Sequence, residues 1–406
     1  MLLSIAYMLM VGMAAGWLCK RLYMPSLAGM IVTGIVLGPY ALDLIDGSIL
    51  GISAELRKIA LIIILMRAGL SLDVDDLKKV GRPAVLMCFV PACFEIVGML
   101  VLAPKLLGIT VLEAAIMGAV VAAVSPAVIV PKMIKLMEEG YGTDQSIPQL
   151  ILAGASVDDV FVIVLFSAFT GLAQGGNISP VSFVQIPLSI LAGILIGFAA
   201  GAVLALYFER VHIRDTVKVI ILLCISFILV TAEDAVKGVF AFSSLISIMC
   251  MGICLQKRRE PVAGRLSFKF NKLWVGAEIL LFVLVGATVD IRYAAAAGGA
   301  AVVLILGVLV FRMAGVMCCL LGTRLNGKER LFCMAAYMPK ATVQAAIGGV
   351  PLSMGLACGN IVLTVAVLAI LITAPLGAFL IDLTYRKWLT CSSGSNIVTV
   401  QDGSSS

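Results

Sequence analysis

Asp158 and Asp159 stand side by side in the middle of an apolar stretch, residues 148–172, that is long enough to cross a bilayer. A charge near the bilayer centre costs about 2.5–3.5 kcal/mol on insertion scales, so ionisable groups there are few and usually functional. The other deeply placed ones are Glu95, Arg312 and Lys340, while Arg67, Glu113, Glu278 and Asp290 lie nearer the ends of their apolar runs. Three acids against two bases leave one carboxylate free to trade a proton for a sodium ion. Adjacent residues on an α-helix point about 100° apart, so the two aspartates cannot chelate from one face and must do different jobs. One is expected to face a fixed base and the other an aqueous cavity. Ala153, Gly154, Ala155 and Ser156 beside them are small enough to let another helix approach closely. Arg312 stays charged at any relevant pH and needs a carboxylate, either Asp158 or Glu95. Lys340 can cap freed carbonyls and repel cations, or carry a proton itself. Arg67 and Glu278 read as structural groups within reach of an interface, by snorkelling or at a short water-filled rim.

The elements that must hold these residues are membrane helices. Of 406 residues 62% are apolar and 13% charged, with a mean hydropathy of +1.14, against about 45–50% and 25% in soluble domains. No stretch is left for a soluble catalytic domain, which excludes most enzyme classes. The net charge of +6 belongs to cytoplasmic loops and not to a nucleic-acid surface. Most of the eleven cysteines sit inside apolar runs without metal or redox spacing, and the one histidine, His212, lies in a charged loop. No metal centre or cofactor is therefore expected. The first apolar run has no basic residues before it and is followed by Lys20 and Arg21, as in a retained first helix.

Charge clusters and Gly/Pro turns cut the chain into thirteen apolar segments. Loops after odd-numbered segments hold 21 of the 29 Lys and Arg, Arg265, Lys269 and Lys272 among them, and loops after even-numbered segments hold five, including Arg57. The positive-inside rule then puts the N-terminus outside and the C-terminus in the cytoplasm. Thirteen divides as six, one and six, the arithmetic of an inverted repeat. The first repeat is expected over 1–172, a linker helix over 178–208, the second repeat over 217–390 and a disordered cytoplasmic tail over 391–406. The fifth member of each half is interrupted. Residues 109–132 contain Ser125-Pro126 and Pro131, and residues 330–350 contain Pro339-Lys340 and Gly348-Gly349. Proline in mid-membrane frees a backbone carbonyl, which is tolerated where protein, water or ligand satisfies it. Paired interruptions in two halves point to a transport site.

With Ser156-Val157-Asp158-Asp159-Val160 in the sixth segment, Pro339-Lys340-Ala341-Thr342-Val343-Gln344-Ala345-Ala346 in the twelfth and a base in the eleventh, the chain resembles the monovalent cation/proton antiporter superfamily, specifically its twin-aspartate NHA-type sodium/proton antiporters. The resemblance spans all thirteen segments. It implies the sodium/proton antiporter fold, in which two crossed broken helices lie in a six-helix core beside a dimerisation domain. It also implies a homodimer in the plasma (inner) membrane and an elevator-like movement of the core. It assigns cation or proton binding to Asp159, contact with Arg312 to Asp158, and an alternative partner for Arg312 to Glu95. Many relatives carry lysine where Arg312 stands, which bears on whether exchange moves net charge.

The function expected is antiport of Na⁺ or Li⁺ for H⁺. Asp159 would be the metal ligand, helped by Ser125, Thr342 or freed carbonyls, with Asp158, Arg312, Glu95 and Lys340 balancing charge. Potassium/proton exchange uses the same parts. An intramembrane aspartyl protease would need its two acids facing each other from different helices, and a cation channel a ring of acids or carbonyls from several subunits.

Overall fold

The computed structural model describes residues 1–22, 24–71, 81–173, 180–211, 213–236 and 242–391. Lys78, Lys79, His212, Lys237 and the tail beyond Cys391 lie outside them. The described residues are helical, with no strand among them and a single β-bridge between Tyr141 and Cys391. In chain order the helices are α1 (Leu2–Arg21), α2 (Ser26–Leu37), α3 (Gly47–Gly51), α4 (Ser53–Ser71), α5 (Arg82–Met87), α6 (Val90–Leu107), α7 (Val111–Val121), α8 (Pro126–Glu138), α9 (Ile147–Ala173), α10 (Pro180–Arg210), α11 (Asp215–Ala235), α12 (Ser244–Arg258), α13 (Glu260–Ala287), α14 (Ile291–Leu320), α15 (Gly327–Ala336), α16 (Thr342–Ile347), α17 (Val350–Ser353) and α18 (Gly359–Trp388).

Eight helical stretches of 19–30 residues are long and apolar enough to span a bilayer among the described residues. They are α1, α5–α6, α7–α8, most of α10, α11, α13, most of α14, and α18. Two differences from the sequence reading concern where helices begin. Arg265, Lys269 and Lys272, expected in a loop, lie on the first turns of α13, which follows α12 after the single residue Arg259. Arg57, also expected in a loop, lies one turn into α4 and is buried.

The two interrupted segments start alike. Thr110 accepts a hydrogen bond from the Glu113 amide and Glu113 accepts one from the Thr110 amide; Asn326 and Glu329 do the same before α15. Such capping boxes satisfy two of the donors that a helix start leaves free, and they explain Glu113 as a cap and not an ion site.

Packing sorts the helices into two groups. In one, α13 lies against α2 and α4, α10 along α12, α12 against α4, and α1 against α2. In the other, α14 runs along α6, α7 packs on α6 and α9, and α18 on α14 and α15. The short α16 touches both groups, meeting α4 and α13 as well as α7 and α18. Surface ion pairs between helices, Arg259–Glu209, Arg265–Asp215 and Lys132–Asp382, each join segments that the loop-charge alternation puts on one side.

Candidate ion-binding site

The two interruptions meet. Residues 122–125 between α7 and α8, and 337–341 between α15 and α16, are not helical, and the Ser125 amide donates to the Pro339 carbonyl at 2.8 Å. Pro126 opens α8 at its first position, where the missing N–H costs nothing. Backbone groups left over at such a crossing have no water to bond in a membrane, so side chains must serve them. Gln344 donates from Nε2 to the carbonyls of Val121 (3.0 Å) and Ala123 (2.9 Å). Arg312 donates from Nη1 to the Ala122 carbonyl and from Nε to the Tyr337 carbonyl at 2.7 Å. The Val124 amide donates to Asp158 Oδ2 at 2.9 Å.

The remaining arms of Arg312 make ion pairs: Nη2 with Asp158 Oδ2 at 2.8 Å and Nη1 with Glu95 Oε2 at 2.7 Å. Lys340 Nζ reaches the same Glu95 oxygen at 2.5 Å. All four side chains are at most 1% exposed. Both carboxylates considered for Arg312 are thus its partners. Lys340 balances charge by pairing with Glu95 and does not cap the freed carbonyls, which Gln344 and Arg312 take. Two acids and two bases close into a neutral cluster, the form in which buried charge is tolerated.

Asp159 is outside that cluster. Its carboxylate lies at the wall of a cavity of about 190 Å³ formed with Pro126, Ala127 and Val130 of α8, Arg67 and Ala68 of α4, and Met249 of α12. Its Oδ1 is buried without a hydrogen-bond partner. The 100° between neighbours on α9 therefore separates a paired acid from one that faces a cavity. Arg67, read from sequence as a structural group near an interface or a water-filled rim, lines this cavity. The hydroxyls of Ser125 and Thr342 are buried at the helix crossing and have no partner.

Sequence reasoning passed over two residues. Gln344 lies within the quoted motif, and an amide inside an apolar helix was the available signal. Tyr337 supports Arg312 with its ring, 5.3 Å from the guanidinium carbon, and donates from its hydroxyl to the Met87 carbonyl at 3.2 Å. Gly154 makes room for it, since a Cβ there would lie 2.1 Å from the Tyr337 hydroxyl and 2.8 Å from Met87 Cβ. Of the small residues on α9, Gly154 is the one that Tyr337 and Met87 approach.

An all-helical membrane protein with two crossed, broken helices beside a buried charge cluster is a secondary transporter in class. The chain belongs to the sodium/hydrogen exchanger transmembrane family, whose model matches residues 6–386, and thereby to the monovalent cation/proton antiporter superfamily; it is a transporter and not an enzyme. Sodium/hydrogen exchanger 9B2 of Mus musculus is 35% identical over 382 residues, covering 89% of this chain and 68% of the relative. The Homo sapiens protein of that name is 34% identical over 89% of this chain and 69% of its own length. The structure of the sodium proton antiporter MjNhaP1 from Methanocaldococcus jannaschii at pH 8 superposes with a TM-score of 0.82 at 18% identity, covering 95% of this chain and 99% of that one. At that identity the likeness is one of fold.

Proposed function

We propose that the protein exchanges Na⁺, or Li⁺, for H⁺, with Asp159 holding either the proton or the partly dehydrated cation. One observation carries this reading: of the three deep acids, Glu95 and Asp158 are paired with Lys340 and Arg312, whereas Asp159 is outside those pairs and lines a cavity. Competition for one carboxylate couples the two fluxes. Each pH unit supplies about 1.4 kcal/mol per proton, enough to hold a tenfold opposing Na⁺ gradient at one-for-one exchange. The hydroxyls of Ser125 and Thr342 are unpartnered and do not line the cavity of Asp159; an ion moving from that cavity towards the crossing would meet them as replacements for water.

A second cavity, of about 270 Å³, is lined by Lys20, Lys132, Glu278 and Asp382 and shares Ala127 with the first. It lies on the side that the loop charges assign to the cytoplasm, and a route from there to Asp159 would pass Ala127. Thirteen spans in a 6+1+6 inverted repeat, with residues 1–172 and 217–390 as the halves and 178–208 between them, fit the paired capping boxes and paired breaks. Alternating access would then come from the group containing α6–α9 and α14–α18 sliding past the other, in a homodimer in the plasma membrane. The relatives' names favour sodium over potassium.

The test is Asp159→Asn in everted vesicles or proteoliposomes. Exchange should be lost while the protein still folds and elutes like the parent. Na⁺-driven proton movement that survives the substitution would rule out Asp159 as the shared site.

A further inference from the structure

Far from Asp159, at the opposite end of α4, Arg57 is 5% exposed. Its Nε donates to the Ser53 carbonyl at 3.2 Å, but its Nη1 is buried with no hydrogen-bond partner. Among the described residues no carboxylate pairs with it; Glu55, on the same helical turn, is exposed. A buried, permanently charged group with a free donor is costly unless something negative completes it.

The surroundings are built to receive an anion. Arg57 lines a cavity of about 190 Å³ together with Ser53, Ala54, Thr288, Gly349 and Ser353. The first intrahelical bond of α4 runs from the Leu56 amide to the Ile52 carbonyl, so the amides of Ser53, Ala54 and Glu55 precede the ladder. Such amides at the positive end of a 19-residue helix favour negative charge. Gly51 and Ser353 on the rim are exposed, which opens the cavity at the end of the bundle. Gly349 lets the guanidinium approach the backbone closely, because a Cβ there would fall 2.0 Å from Nη1. The Thr288 and Ser353 hydroxyls already donate to the Val285 and Val350 carbonyls, which leaves Arg57 and the helix start as the donors.

We propose that this cavity binds a small inorganic anion of the chloride type, held by Arg57 and the start of α4 at the seam with Gly349. α4 belongs to one packing group, and α17 with Gly349 before it continues the broken helix of the other. An anion there would bias the relative position of the two groups and so modulate transport without entering the cation path. A lipid phosphate would use the same donors.

The experiment follows thermal unfolding of the full-length protein in detergent, at constant Na⁺ and ionic strength, while gluconate is replaced by chloride, bromide or nitrate. A saturable rise in Tm with the small anions is expected for the parent. The rise should vanish in Arg57→Gln and in Gly349→Ala, which displaces the guanidinium without removing its charge. If Arg57→Gln does not fold, Gly349→Ala alone decides. A phospholipid that survives purification on the parent in native mass spectrometry, is lost in Gly349→Ala, and must be stripped before chloride acts would support the anion site and identify a headgroup as its occupant. A Tm that is the same in all anions, with no lipid dependent on these residues, would overturn the proposal. So would a shift of equal size in Gly349→Ala.

Discussion

The amide of Ser125 bonds the carbonyl of Pro339 at 2.8 Å, which ties the break of one half of the chain to the break of the other, 214 positions along. Around that bond Arg312 has two tasks: it satisfies the Ala122 and Tyr337 carbonyls and it neutralises Asp158 and Glu95. Position 312 is therefore structural as well as electrostatic.

Removing it strands the buried carboxylate of Asp158 and leaves Glu95 to Lys340 alone. Arg312→Ala should cost about 3–5 kcal/mol, seen as a lower Tm. Arg312→Lys should recover only part of this, since an ammonium cannot copy the guanidinium fork. Glu95→Gln should destabilise more than Asp158→Asn, because Glu95 serves Lys340 as well. A Tm for Arg312→Ala equal to that of the parent would contradict the network.

Gln344→Leu keeps the volume but strips the donor from the Val121 and Ala123 carbonyls. An unsatisfied buried group costs about 1–3 kcal/mol, so unfolding should shift by at least that much. An unchanged Tm would mean that the crossing is held without the amide.

Gly154→Ala should destabilise by about 1–3 kcal/mol through overpacking. Its new methyl would meet the Tyr337 hydroxyl first, so Tyr337→Phe in the same chain should return part of the loss. Additive losses in a double-mutant cycle would show that the two positions do not touch.

The neutral cluster bears on stoichiometry. If only Asp159 changes its occupant, one Na⁺ replaces one H⁺ and no net charge crosses. Solid-supported membrane recordings should show no sustained Na⁺-driven current. A current that Lys340→Gln abolishes would bring that ammonium into the cycle.

Much of this was legible in the residues. The divergence of Asp158 from Asp159 follows from helix geometry, and the breaks at Pro126 and Pro339 from proline chemistry. The contact between the breaks was not, because nothing local in Ser125 or Pro339 encodes a partner 214 positions away. Gln344 and Tyr337 escaped because neutral side chains in apolar helices carry no charge to flag them, and their value lies in carbonyls that only the crossing exposes. That Arg67 and Asp159 line one cavity was not legible for a similar reason: the cavity exists only because α8 and α9 are brought opposite α4. The capping boxes at Thr110 and Asn326 were present as T-x-x-E and N-x-x-E patterns, yet in an apolar chain Glu113 drew notice as a charge and not as a cap.

That proton and cation share Asp159 is tested most directly by the pH dependence of the apparent KM for Na⁺ in proteoliposomes. Protonation removes the cation's ligand, so KM should climb as pH falls, by up to about tenfold per unit below the carboxylate's titration point. The rate should follow a bell, falling again at high pH where protons are too scarce to return the carrier. A KM that stays flat from one unit above to two units below the activity midpoint would mean that the two ions use different residues, and the single-carboxylate account would be wrong.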